Sequence, residues 1–404
     1  MHKKLWNKDF ILMLQGGAFS ALGDILYSVA IGYWVYDQTG SSTLMGLMSA
    51  ISMFMVMIVM PFSGSIVDRS NRKPIIVGMD VLRGVIMLTV GALANADRLD
   101  VPAVLIAAFL TSFCTVFFDP AVGTLMLDII PREDLMRGQS VQNGVRTLLA
   151  LVGKAFSGAL VAWMGVPLVI VINGMSYLIS AFTELFVTVP VKESTKNAVT
   201  AKRLLSDYHM AVLEILRNRF LRLFIPGALL LNLLFSGAGS LMLPFVLNKG
   251  LTVDTFGYLM SIQTMASLLG VTILSTAKFC GKTRYILMAG GFVSSYIFYL
   301  IGYMSSGFLV LASMMFIGTL ANTLGNCVFN ASLMLSLPED KRGTLLGFIS
   351  AATTGGAALS TMIYGLLCDV LPMEPVFVSG CVLSIVPMIY ICSHKEVKNF
   401  ISTQ

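Results

Sequence analysis

Seven ionisable side chains lie inside long apolar runs of the chain: Asp24, Asp80, Arg83, Asp119, Arg146, Lys154 and Glu184. A charge at the centre of a hydrocarbon layer costs about 2.5–3.5 kcal/mol on insertion scales, so such groups pair, titrate or bind something. Asp24 and Lys154 fall at matching depths in their runs, and so do Asp119 and Arg146. Each combination offers two chemistries. It is either a structural ion pair, which removes most of the cost of burial, or a carboxylate that releases its partner to take a proton or a substrate. Asp80 and Arg83 are one helical turn apart, close enough to pair along a single helix. Glu184 has no partner that spacing supplies. An eighth feature is the ionic stretch from Gly64 to Pro74, "GSIVDRSNRKP", set between two very apolar flanks.

Other chemistries find no support. The six cysteines form no C-x-x-C pair, and the three histidines (His2, His209 and His394) are scattered, so neither a disulfide framework nor a metal site is expected. No phosphate-binding P-loop occurs and no hydrolytic constellation stands out, which leaves an enzyme, a nucleotide-driven machine and a cofactor without sequence support.

The elements that must hold these groups are set by composition. Of 404 residues 56% are hydrophobic and only 12% charged, against about a quarter charged in soluble domains. Apolar segments occupy 10–36, 43–67, 75–94, 101–127, 139–164, 168–188, 221–247, 255–277, 285–304, 307–335, 344–370 and 375–392. Each is long enough to cross a bilayer as a helix of about 20 residues. Continuous apolar runs exclude the alternating pattern of a membrane β-barrel. The expected fold is an all-α membrane protein with twelve transmembrane helices.

With the N-terminus placed inside, twenty-two of the 27 basic residues fall in cytoplasmic segments and only Arg98 and Lys249 in external loops. That bias predicts both termini on the cytoplasmic face, and it accounts for the net charge of +6 without nucleic acid. Residues 189–220 form the one long connection. Within it Leu204, Leu205, Tyr208, Val212, Ile215 and Leu216 recur at helical spacing opposite Lys202, Arg203 and Arg217, which predicts an amphipathic helix on the inner membrane surface. This linker divides the chain into six-helix halves, 1–188 and 221–404. The halves echo each other: "IIPREDLMRG" at 129–138 matches "SLPEDKRG" at 336–343, and "TLMGLMSAI" at 43–51 matches "DTFGYLMSI" at 254–262. Such internal repeats are typical of secondary transporters.

Gly64, Asp68, Arg69, Arg72 and Lys73 reproduce the G-x-x-x-D-R-x-G-R-K turn between the second and third helices of the major facilitator superfamily, and the chain resembles that family over its whole length. Asn71 stands where the family has Gly, and Asn tolerates a left-handed turn best after Gly. The P-R-E-D-L turn and the Asp119-Pro120 pair are similar to the bacterial macrolide-efflux and siderophore-exporter group. In the fifth segment Lys154 stands where the family's antiporter pattern has Pro. The resemblance implies alternating access and a conformational latch. Asp68 would accept from free amides at the start of the eleventh segment, at Gly343-Thr344, while Arg69, Arg72 and Lys73 balance its charge. Asp80 and Arg83 would support that turn. Asp24, Lys154, Asp119, Arg146 and Glu184 are the candidates for coupling or substrate binding.

The function expected is proton-coupled export of amphipathic small molecules by a monomer in the bacterial inner membrane, in contact with lipid. A lysolipid flippase, an organic-anion transporter and a metabolite importer on the same fold are the alternatives.

Overall fold

A computed structural model describes residues 5–67, 70–131, 134–188, 213, 216–217, 219–276, 281–336, 342–394 and 397–398. Every regular element among them is an α-helix: α1 (Lys8–Thr39), α2 (Ser42–Val67), α3 (Arg72–Asn95), α4 (Val101–Ile129), α5 (Leu135–Glu184), α6 (Arg219–Ser240), α7 (Met242–Asn248), α8 (Val253–Thr276), α9 (Gly281–Met304), α10 (Phe308–Ser336), α11 (Arg342–Val370) and α12 (Met373–Ser393). The amphipathic helix expected within 202–217 lies outside the described residues.

Among the described residues ten helices are long and apolar enough to cross a membrane, or eleven if α6 and α7, bent by 52° at Leu241, form one broken span. α5 holds the fifth and sixth apolar segments as two helices that meet across a kink at Gly165 (φ 76°, ψ 159°), just before Pro167. Glycine alone takes that positive φ without strain, and the proline cannot continue the ladder of the preceding turn. The two arms are 135–164 and 166–184.

Helix starts are fixed locally. Asn7 Oδ1 accepts from Phe10 N at 2.9 Å, and Asp100 Oδ1 accepts from Ala103 N at 3.0 Å, each satisfying an amide that the helix leaves free. Asn71 does the same for α3, accepting from Lys73 N at 3.4 Å. Its backbone is extended (φ −68°, ψ 119°), so the left-handed turn expected at this position is not there. The asparagine serves as a cap.

The residues group into two compact units, Met1–Gly40 with Phe54–Val199, and Ser41–Met53 with Thr200–Gln404. In the first, glycines set the helix spacing. A Cβ at Gly16 would lie 2.9 Å from Ser180 Oγ, and one at Gly23 would lie 2.5 Å from Ser176 Oγ. On α3, Cβ atoms at Gly84 and Gly91 would lie 2.6 Å from Leu178 and Val171. Both pairs are seven residues apart, two helical turns, so α1 and α3 each present a smooth stripe to the second arm of α5. In the second unit Gly237 meets Tyr364, Gly291 meets Ala321 O and Gly318 meets Tyr299 in the same manner. Phe245 and Phe377 stack with centroids 4.3 Å apart, and Tyr303 meets both edge-on.

Candidate functional site

The close seat of α1 on α5 brings Asp24 to the second arm of α5. Its Oδ1 accepts from the Tyr177 hydroxyl and, at 3.5 Å, from Asn173 Nδ2. Tyr177 is itself buried. The depth-matched Lys154 does not reach Asp24. No ion pair joins them, and Lys154 is half-buried with no carboxylate partner among the described residues. Equal depth fixes height in the membrane but not the direction in which a side chain points around its helix. Asp24 is turned toward Tyr177, on the arm of α5 that does not carry Lys154. Asp119 and Arg146 are likewise not joined as an ion pair. Both are exposed, and the favourable charges acting on Asp119 are Arg83 first and Arg146 second.

Arg83 is the centre of the first unit's polar interior. It donates from Nη1 to Asp80 Oδ1 at 3.3 Å, one turn away on the same helix. Its guanidinium lies over the Phe118 ring at 4.4 Å and near the Tyr177 ring at 5.4 Å, a cation–π seat on two aromatic faces. Asp80 is fully buried, and Arg83 and Glu184 nearly so. Glu184 joins this pair from α5. Ser180 Oγ donates to Glu184 Oε1 at 3.2 Å and also acts on Asp80. Asp80 Oδ2, Arg83 Nε and Nη2, and Glu184 Oε2 are buried without a hydrogen-bond partner. Two carboxylates and one guanidinium are therefore buried in the same interior, with Asp80 alone ion-paired to Arg83, and Tyr177 links this group to Asp24. Spacing along α3 revealed half of this group. The approach of Glu184 is tertiary and had no sequence signal.

The turn carrying the family signature is only partly visible. Asp68 and Arg69 lie outside the described residues, as does much of the approach to Gly343-Thr344. Gly64 has open space where a Cβ would stand, and Lys73 is half-buried. Arg72 has a partner that the sequence did not indicate. It is buried and ion-paired with Asp128 at the end of α4. That pair ties the start of α3 to α4.

A second carboxylate joint was not anticipated. Asp369, at the end of α11, accepts from Ser42 N at 2.6 Å, Thr43 N at 3.1 Å and Ser41 Oγ at 2.7 Å, while Ser41 Oγ accepts from Leu44 N at 3.2 Å. The first three amides of α2 are thereby all satisfied, two of them by another helix. The helices can come this close because a Cβ at Gly46 would sit 2.7 Å from Thr361 O, and one at Gly365 would sit 2.9 Å from Ser42 O.

The second unit holds a cavity of about 460 Å³ among α6, α9, α10, α11 and α12. Among the described residues no Asp, Glu, Lys, Arg or His lines it. Its polar groups are neutral: Asn232, Asn322, Asn326 and Asn330 together with Ser236, Ser350 and Thr353. Three of the asparagines recur every four residues along α10, in "NTLGNCVFN", a visible signal that a search confined to charges passes over.

Three likenesses bear on identity. The chain is 22% identical over 361 residues to YkuC, an uncharacterized MFS-type transporter of Bacillus subtilis (strain 168), covering 85% of this chain and 81% of that one. It is 24% identical over 185 residues to macrolide efflux protein A of Streptococcus pyogenes, a match spanning 46% of each chain. A bacterial homolog of the human lysosomal transporter Spinster, solved in an inward-facing, unoccupied conformation, has the same fold, with a TM-score of 0.70 at 15% identity over 98% of this chain and 97% of that one. The Major Facilitator Superfamily model matches residues 13–361, and the chain belongs to that family of multi-pass membrane transporters.

Proposed function

We propose that this transporter exports amphipathic small molecules by alternating access in exchange for protons. The observation that carries the proton coupling is the Asp80–Arg83–Glu184 group. An unpaired buried carboxylate costs several kcal/mol, and Glu184 is buried with only Ser180 as a partner while Arg83 pairs with Asp80, so this group is our candidate for taking up and releasing a proton. Asp24, hydrogen-bonded to Tyr177 beside Arg83, is placed to exchange that proton with water or with a bound cation. Export is supported by the efflux name of the relative matched over 46% of this chain. The basic-residue bias supports an inner-membrane setting with both termini cytoplasmic, and the 189–220 linker supports two six-helix halves, 1–188 and 221–404, acting as a monomer.

The test is transport in proteoliposomes against a compound panel, with and without a pH gradient. Glu184→Gln and Asp24→Asn should each abolish gradient-driven accumulation and preserve downhill counterflow. Full gradient-driven accumulation in both variants and in Asp80→Asn would overturn the coupling. Lys154 favours a second reading. A half-buried ammonium with no carboxylate partner among the described residues suits an anionic substrate group, and Lys154→Ala would then abolish uptake of organic anions alone.

A further inference from the structure

The two units differ in the chemistry they hold at membrane depth. The mid-span charges, Asp24, Asp80, Arg83, Asp119, Arg146, Lys154 and Glu184, all belong to the first unit. In the second unit the interiors of α6, α8, α9, α10 and α11 contain no charged residue. Its polar capacity is concentrated in the amides lining the 460 Å³ cavity.

These amides are partly engaged with one another. Asn326 Nδ2 donates to Asn322 Oδ1 at 2.8 Å and to Asn322 O at 3.1 Å. Asn232 Nδ2 donates to Ala228 O at 2.9 Å, and its Oδ1 accepts from Ser236 Oγ at 3.1 Å. These bonds fix the amide planes of Asn326 and Asn232. They leave Asn326 Oδ1, one Asn232 N–H and the Asn330 amide to face the cavity, a set containing both donors and acceptors. Aromatic surface lies beside them: Phe235 meets Tyr296 edge-on at 5.0 Å, and both line the cavity. An ionised group entering these walls would lose its hydration shell and gain only neutral dipoles in exchange. An uncharged group with several hydroxyls or amides would replace its lost water bonds one for one, and an attached ring would lie on the aromatic faces.

We propose that this cavity selects an uncharged, hydrogen-bonding moiety of the transported molecule, a hydroxyl-rich or amide-rich group on an apolar ring, with Asn326 and Asn330 as the specificity-determining residues. The proposal rests on the reading of the protein as a transporter of amphipathic small molecules, and it assigns substrate discrimination to the neutral unit.

The test uses the full chain in lipid nanodiscs at equilibrium, with no gradient, and three probes sharing one phenyl ring: p-nitrophenyl β-glucoside, phenyltrimethylammonium and benzenesulfonate. The glucoside should raise the melting temperature in a saturable way and the two ions should not. Asn326→Leu and Asn330→Leu should each weaken glucoside binding about tenfold, the loss expected from one or two hydrogen bonds. Asn326→Asp keeps the shape, and it should lose the glucoside and gain phenyltrimethylammonium. Asn330 is exposed to the cavity, so its substitution leaves packing intact and separates binding from folding. Absent glucoside binding, equal binding of either ion, or an unchanged preference in Asn326→Asp would overturn the proposal. Selective glucoside binding by a protein that moves nothing along a pH gradient would refute the coupling and leave this inference standing.

Discussion

Lys154 and Asp24 show how much a single side chain's direction decides. Matching depth suggested a pair, and a pair would couple energetically: removing either partner would hurt, and removing both would hurt less than the sum. The structure instead gives Asp24 to Tyr177 and Asn173. The losses in melting temperature from Asp24→Asn and Lys154→Ala should therefore add, to within about 0.5 kcal/mol for uncoupled sites. Tyr177→Phe, by contrast, should be strongly non-additive with Asp24→Asn, because both delete the same hydrogen bond. A cycle with the opposite outcome, coupled for Lys154 and additive for Tyr177, would reinstate the ion pair. The same distinction separates what was legible from what was not. The Asp80–Arg83 pair follows from a one-turn spacing along one helix. Arg72 with Asp128, and Asp24 with Tyr177, join residues far apart in the chain, and composition and periodicity carry no information on such contacts.

Helix-scale packing supports these side-chain contacts, and glycine position is what makes it possible. At Gly23 an added methyl would meet Ser176 Oγ at 2.5 Å, whereas at Gly17 it would meet nothing within 4 Å. Gly23→Ala should lift α1 from α5, destabilise by about 1–3 kcal/mol as overpacking does, and weaken the Asp24–Tyr177 bond. Gly17→Ala should be neutral or slightly stabilising, since alanine is the better helix former. Thermal unfolding of the two purified variants checks both, and equal shifts would contradict the close seat. The helices themselves were readable from hydropathy, and the break at Gly165-Val166-Pro167 was readable as a boundary. The two arms of α5 meet there, with Gly165 as the residue that leaves the helical backbone. The row of Asn322, Asn326 and Asn330 was present in the sequence at helical spacing, but amides carry no charge to mark them against an apolar background.

At the scale of the whole molecule, α2 is the element that matters for movement. Its first part, Ser42–Met53, belongs to the second unit, and from Phe54 onward it belongs to the first. Asp369 and Ser41 satisfy the first three amides of α2, and an N-terminal cap of this kind contributes about 0.5–2 kcal/mol. Both sides of this joint belong to the second unit, and any motion that carries the start of α2 away from the end of α11 must break it. The contact lies at the end of α2 opposite the Gly64–Lys73 turn. Asp369→Ala should make a cysteine at position 43 more accessible to a membrane-impermeant thiol reagent while leaving insertion unchanged. Joining Thr43→Cys to Asp369→Cys with a short crosslinker should arrest transport, and a cleavable linker should restore it on reduction. Transport that continues at the uncrosslinked rate with the two positions joined would show that the start of α2 never leaves α11, and the joint would then be a fixed structural cap with no part in the transport cycle.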